Sequence, residues 1–129
     1  MFEDIKNVMY EKKAAFSLPE YFKLEIYDNK NVLKYIDNMY PNSIKNPQVK
    51  NIDDELVMQY FDKLFRIIGD WENKYVNNNI IDGTEWQLQI TYKNGKTKHY
   101  LGRNSFPDNF EYLDKIKYEI IDKMLENRT

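Results

Sequence analysis

Trp86, Leu88, Ile90 and Tyr92 alternate with Gln87, Gln89 and Thr91, and a period of two places the apolar set on one face of a β-strand. Asn94-Gly95 follows. That dipeptide supplies both positive-φ residues of a type I′ turn, so Lys96 to Leu101 is expected to fold straight back as the second strand of a hairpin. A two-residue loop pairs Tyr92 with Thr97, Ile90 with His99 and Leu88 with Leu101, which puts His99 on the apolar face, pointing inward. Lys93, Lys96 and Lys98 then share the outward face with Gln87, Gln89, Thr91 and Tyr100.

The remaining periodicities extend the pattern. Phe2, Ile5, Val8 and Met9 recur at helical spacing and predict a short N-terminal helix from 2 to about 14, broken by Ser17-Leu18-Pro19. Phe22, Leu24 and Ile26 alternate with Lys23, Glu25 and Tyr27, a strand running into the turn-rich Asp28-Asn29-Lys30-Asn31. Residues 32–40 fit either a helix capped by Asn31 or a returning strand, with the β-branched and aromatic content favouring strand. The two prolines and several asparagines of Pro41 to Lys50 read as a loop or a poorly paired edge strand. Asp53 is placed as the N-cap of a helix whose first turn carries Asp54 and Glu55, with Ile52 stapled to Val57. Val57, Phe61, Leu64, Ile68, Trp71 and Tyr75 continue as one apolar stripe to Asn77, with Gly69 marking a kink or close packing. Ile80-Ile81-Asp82-Gly83 should turn tightly into the hairpin. Pro107 and Asp108 open the last helix, Asp108 and Glu111 stand in the relation of a capping box, and Phe110, Leu113, Ile116, Ile120 and Met124 form its buried stripe as far as Glu126. The expected fold is a single α+β domain over 1–129: an antiparallel sheet of about four to five strands, from two hairpins, with two long amphipathic helices on one face.

Composition removes several function classes. A chain of 129 residues is one domain by size and buries about two-thirds of its unfolded surface, enough for a core without staples. There is no cysteine, which excludes disulfides, thiolate metal sites and cysteine nucleophiles. No apolar leader or membrane-length run occurs, so the expected location is cytoplasmic. The net charge of −2 suggests neither a nucleic-acid-coating protein nor an acidic mimic of one. Heavy Lys, Asn, Ile and Tyr usage with scarce Arg, Gly and Pro looks like AT-rich coding DNA, pointing to a low-GC bacterium or its phage.

From Asp82 to Phe110 the chain reads Asp-Gly-x-x-Trp-x-Leu-x-Ile-x-Tyr-x-x-Gly-Lys, then Gly-x-Asn-x-x-Pro-x-Asn-Phe. This resembles a recurring pattern in small uncharacterised proteins of low-GC bacteria, in which an amphipathic helix ending in a tryptophan often precedes it. The resemblance covers the C-terminal half of the chain and implies no activity, cofactor or binding residue. Its positions also have conformational explanations: Gly83 and Gly95 for turns, Trp86 for the core, Pro107 for a helix start.

Catalytic equipment is sparse. His99 is the sole histidine, and no serine or acid is placed to activate it or be activated by it, so a half-buried structural role is expected. Ser17, Ser43 and Ser105 lie in no nucleophile elbow. The acids at 53–55 and 108–111 sit at helix starts, where they serve free N–H groups without a metal. Four glycines spread over 69 to 102 compose no phosphate loop, and no cofactor is expected. Lys93, Lys96, Lys98, Tyr100 and Arg103 make the possible binding surface, cationic with one aromatic, suited to phosphates but equally to a solvated sheet face guarded by lysine. Eleven tyrosines exceed what helices and turns require, an excess that either a protein-binding surface or AT-rich codon usage would explain. The resulting expectation is a non-enzymatic interaction domain of the inhibitor or immunity type with a protein partner and no membrane. Nucleic-acid or anionic-ligand binding through the basic hairpin is the alternative, and an enzyme using His99 comes last.

Overall fold

In the computed structural model, residues 4–27, 29–79 and 83–126 are described. The elements in chain order are β1 (Ile5–Ala14), β2 (Glu20–Ile26), β3 (Asn31–Ile36), a one-turn α1 (Asn42–Lys45), β4 (Gln48–Ile52), α2 (Asp54–Ile68), β5 (Lys74–Val76), β6 (Thr84–Tyr92), β7 (Thr97–Arg103) and α3 (Glu111–Glu126). The α+β class is as expected, but the sheet is larger and mixed: seven strands in the order β4-β3-β2-β1-β6-β7-β5, with β5 parallel to β7. The expected tight turn at Ile80-Ile81-Asp82 lies outside the described residues.

The predicted N-terminal helix is instead the central strand. β1 pairs antiparallel with both β2 and β6, and a bulge lies between Ile5 and Asn7. That extra residue turns Ile5 and Val8 to the same buried face, so a strand period of two becomes a spacing of three and imitates a helix. Beyond the bulge, Val8 and Tyr10 alternate normally and are buried. Segment 32–40 is strand as far as Ile36 and then a turn closed by a bridge between Asp37 and Tyr40, and Pro41 to Lys50 contains both α1 and the beginning of edge strand β4.

Inward residues of the sheet, among them Phe22, Leu24, Leu33, Leu88 and Ile90, join Tyr60, Phe61, Leu64, Leu113 and Ile121 of the long helices in one core. α2 starts after Asp53 as expected, although the Asp53 side chain makes no capping bond. It stops at Ile68, nine residues short of the expected Asn77. Gly69 ends the helix without a close contact, since a Cβ there would meet the Phe65 and Arg66 carbonyls at the ordinary distances of 3.6 and 3.9 Å. The chain then turns, Trp71 N–H to Ile68 carbonyl, and supplies β5. α3 likewise begins at Glu111 after a turn in which the Phe110 N–H bonds the Pro107 carbonyl. The expected capping-box positions Asp108 and Glu111 are therefore a turn residue and the first helical residue.

The Asn94-Gly95 loop also differs in form. Gly95 has φ +88°, but its N–H bonds the Tyr92 carbonyl while the Tyr92 N–H bonds the Lys96 carbonyl. This is a three-residue loop with a glycine bulge. Thr91 consequently opposes Thr97, Ile90 opposes Lys98 and Leu88 opposes Tyr100. One added loop residue shifts the register by one and exchanges the faces of β7.

Candidate functional site

The register shift dissolves the expected basic face. Tyr100 is turned inward and buried, meeting Trp71 edge-on at 5.8 Å. Lys98, opposite Ile90, lies on the helix side with its ammonium 5.9 Å from the Phe65 ring. Lys93 and Lys96 belong to the exposed turn. Arg103 is roughly 20 Å along the strand from them, on the outer face and 3.3 Å from Glu85. His99 is the converse case: it is exposed on the outer face, its Nε2 2.9 Å from Gln87 Oε1. The five expected binding residues thus occupy both sides and both ends of the hairpin, and His99 is not half-buried.

The pattern from Gly83 to Phe110 has an architectural role. Trp86 Nε1 donates to the Ser105 carbonyl at 3.0 Å, and its ring packs against Phe110 at 4.7 Å. Gly102 makes room for that ring, because a Cβ there would fall 2.0 Å from Trp86 Nε1. A Cβ on Gly83 would strike the Asn104 side chain, whose Oδ1 accepts the Thr84 N–H at 2.9 Å. Asn109 accepts from Trp71 Nε1 at 2.7 Å and donates to the Ile67 carbonyl at 2.8 Å, satisfying an orphan acceptor at the end of α2. These residues strap the hairpin, the exit of α2 and the entry of α3 together.

The tyrosine surplus is largely absorbed in the same way. Tyr10, Tyr60 and Tyr100 are buried, Tyr21 and Tyr40 are half-buried, and Tyr27 and Tyr112 are exposed.

A constellation not anticipated from the sequence lies where the loop end of the β1–β2 hairpin meets α3. Lys117 is 2% exposed and Asp37 1%, and their Nζ–Oδ2 separation is 2.7 Å. Lys117 also reaches Asp114 at 3.2 Å and lies over the rings of Tyr118 and Tyr10. Asp37 Oδ1 accepts from the Met39 N–H and the Tyr118 hydroxyl. Asp114 accepts from the Tyr10 hydroxyl at 3.1 Å and pairs with Lys12 at 2.6 Å. Lys12 is only 3.8 Å from Glu20.

The charges of this cluster diverge. Burial works to raise Asp114, but the ammonium groups of Lys117 and Lys12 override it and hold the carboxyl below its usual range. Burial raises Glu20, with Asp37 adding to the effect against the attraction of Lys117 and Lys12. Burial and the neighbouring Asp114 carboxylate push the Tyr10 hydroxyl far upward, so it serves as a donor and not as a base.

The cluster floors an open cleft of about 670 Å³. Lys12, Glu20 and Asp114 line it from one side, Leu18, Phe106 and Phe110 from another. At the hairpin tip beside it, Phe16 is 98% exposed and has φ +62° in a turn closed by the Ser17 N–H on the Ala14 carbonyl. Left-handed backbone costs an L-residue about 1–2 kcal/mol, and the aromatic ring recovers none of it by burial. Leu18 at 56%, Phe106 at 42% and Met39 at 67% exposed add apolar surface at or next to the same cleft, since Asn38 also lines it.

Two signals in the chain pointed to the cluster. Lys117 falls within the apolar stripe of α3 beside Leu113, Ile116 and Ile120, and Asp37 continues the inward alternation of Leu33 and Tyr35. A charge at a core position demands a partner. Among the described residues no three of His, Asp and Glu are grouped as ligands for a metal ion, and no helix is long and apolar enough to cross a membrane. Neither the models of known protein families nor the curated proteins include a match to this chain.

Proposed function

We propose that the protein is a non-catalytic interaction domain that binds another protein, as an inhibitor or immunity-type factor does, through the β1–β2 tip and the adjoining cleft. The observation that carries this reading is Phe16, almost wholly exposed on strained left-handed backbone and accompanied by Leu18 and Phe106. Neither the strain nor the exposure serves folding, and contiguous exposed apolar surface beside a cleft marks an interaction site. The chemistry present suits recognition: the cleft offers carboxylates, an ammonium and aromatic walls, and its Ser17 and Thr84 have no histidine beside them to activate a hydroxyl.

Nucleic-acid binding is the weaker reading, because Lys93, Lys96, Lys98, Tyr100 and Arg103 share no face and three lysines with one arginine make few phosphate contacts. The test is capture from native-host lysate by the immobilised protein and by its Phe16→Ser/Leu18→Ser variant. A partner retained by the first and lost by the second is the expected result. Equal capture by both would remove the tip from the interface.

A further inference from the structure

The cleft is acidic as well as apolar. Glu20, Asp108, Glu111 and Asp114 line it against Lys12 as the one cation among its described residues. The N-terminal end of α3 accounts for Glu111 as a dipole partner and for Asp108 just before it. It does not account for Glu20, which stands at the start of β2 where burial opposes its charge. Its nearest ammonium, Lys12, is committed to Asp114 at 2.6 Å and stands 3.8 Å from Glu20. Behind it Lys117 is held 2.7 Å from Asp37. Glu20 thus faces an open cleft sharing Lys12 with Asp114 and accepting the Asn38 N–H at 3.4 Å, flanked by two exposed acids and by apolar walls at Leu18 and Phe106.

We infer that this cleft receives a segment of the partner protein in which a lysine or arginine side chain is flanked by apolar residues, the cation directed at Glu20, Asp108 and Glu111 and the neighbours seated on Leu18 and Phe106. The inference rests on the protein-binding reading and names the partner's chemistry. An amphipathic basic side chain fits such a place because its methylene stem lies along apolar wall while its head reaches the carboxylates. An acidic or phosphorylated segment meets repulsion from four carboxylates, and a purely apolar one leaves them desolvated without compensation. The second cleft, on the outer sheet face, carries no such preference: Lys13, Lys74 and Arg103 there stand beside Glu11 and Glu85.

Selection of short random peptides on the immobilised full chain tests this, with affinities then measured by fluorescence anisotropy. The expected peptides carry Lys or Arg next to Leu, Ile, Phe or Val. Their affinity should drop about tenfold or more for Asp108→Lys/Glu111→Lys. It should drop similarly for Leu18→Ser/Phe106→Ser and weaken with added salt for the unaltered protein. Both pairs of positions lie outside the buried cluster, and the salt series needs no variant. Peptides lost on Leu18→Ser/Phe106→Ser yet lacking basic residues, or indifferent to salt and to Asp108→Lys/Glu111→Lys, would overturn the basic-segment inference while leaving the docking surface in place. Enrichment no greater than on Leu18→Ser/Phe106→Ser would overturn both.

Discussion

Two neighbouring regions of this sheet solve the burial problem in opposite ways. Around β6, β7 and the entry of α3 the core is aromatic: Trp71, Trp86, Tyr100 and Phe110 meet one another within 6.3 Å, and each tryptophan N–H finds an acceptor. Where β1 and β2 meet α3, the buried side chains include Lys117 and Asp37, Asp114 is half-buried beside them, and the surface beyond exposes Phe16, Leu18 and Phe106. The first region spends its unusual residues on holding elements together. The second keeps charge inside and apolar groups outside, an inversion that costs stability and coincides with the proposed binding surface.

The largest effects should separate the two regions by their pH dependence. Trp86→Ala removes a packed ring and should lower stability by about 3–5 kcal/mol, nearly the same at every pH in urea titrations. Lys117→Met leaves Asp37 as a buried charge without its counterion, while Asp114 keeps Lys12, and should cost about 3–5 kcal/mol at neutral pH. That second loss should shrink as pH falls, because the carboxylate can then be protonated. Adding Asp37→Leu to Lys117→Met should recover much of the deficit, and failure to recover any would mean that the pair is not an isolated charge problem.

Gly102→Ala comes next, at about 1–3 kcal/mol, since the new methyl would lie 2.0 Å from Trp86 Nε1. Thermal melts check it, and an unchanged melting temperature would show that Trp86 does not depend on that glycine.

The two carboxyls of the cleft floor should respond to pH with opposite signs. Asp114 has a lowered pKa in the fold, so its contribution is present above the ordinary carboxylate range and is lost as pH falls through the folded value. Asp114→Asn should therefore be increasingly destabilising from pH 3 towards 7. Glu20 has a raised pKa, so stability is lost as pH rises through its folded value. Glu20→Gln should be neutral near pH 4 and relatively stabilising near pH 7, and parallel pH profiles for the two variants would contradict the opposed environments.

The same contrast decided what could be read from the chain. The β6–β7 hairpin and the stripes of α2 and α3 were legible because their apolar residues repeat with one period and their neighbours satisfy them locally. The register was not, since Asn94-Gly95 suits either a two-residue turn or a three-residue loop with a glycine bulge, and the choice reverses His99, Tyr100 and Lys98. β1 was misread because the bulge after Ile5 set Ile5 and Val8 three apart. The end of α2 was missed because Trp71 and Tyr75 continue its stripe while reaching the core from a turn and from β5. The cleft was illegible as a unit: Lys12, Glu20 and Asp37 meet Asp114 and Lys117 only through sheet topology, although Lys117 in an apolar stripe was its visible trace.

The smallest effect on stability carries the most information about function. Phe16→Gly relieves left-handed strain at φ +62°, partly offset by greater unfolded-state entropy, for a net gain of up to about 1 kcal/mol. It also deletes the exposed ring, so the account expects a slightly higher melting temperature together with loss of partner capture. A destabilised variant would show that the ring contributes to the fold after all.

Photo-crosslinking in native-host cells addresses the central claim most directly, with a photoreactive phenylalanine analogue placed singly at position 16, 106, 96 or 99. The account predicts a covalent adduct with the same partner protein from positions 16 and 106 and none from positions 96 and 99. Adducts confined to the Lys96 and His99 positions would place the interface on the hairpin and contradict it.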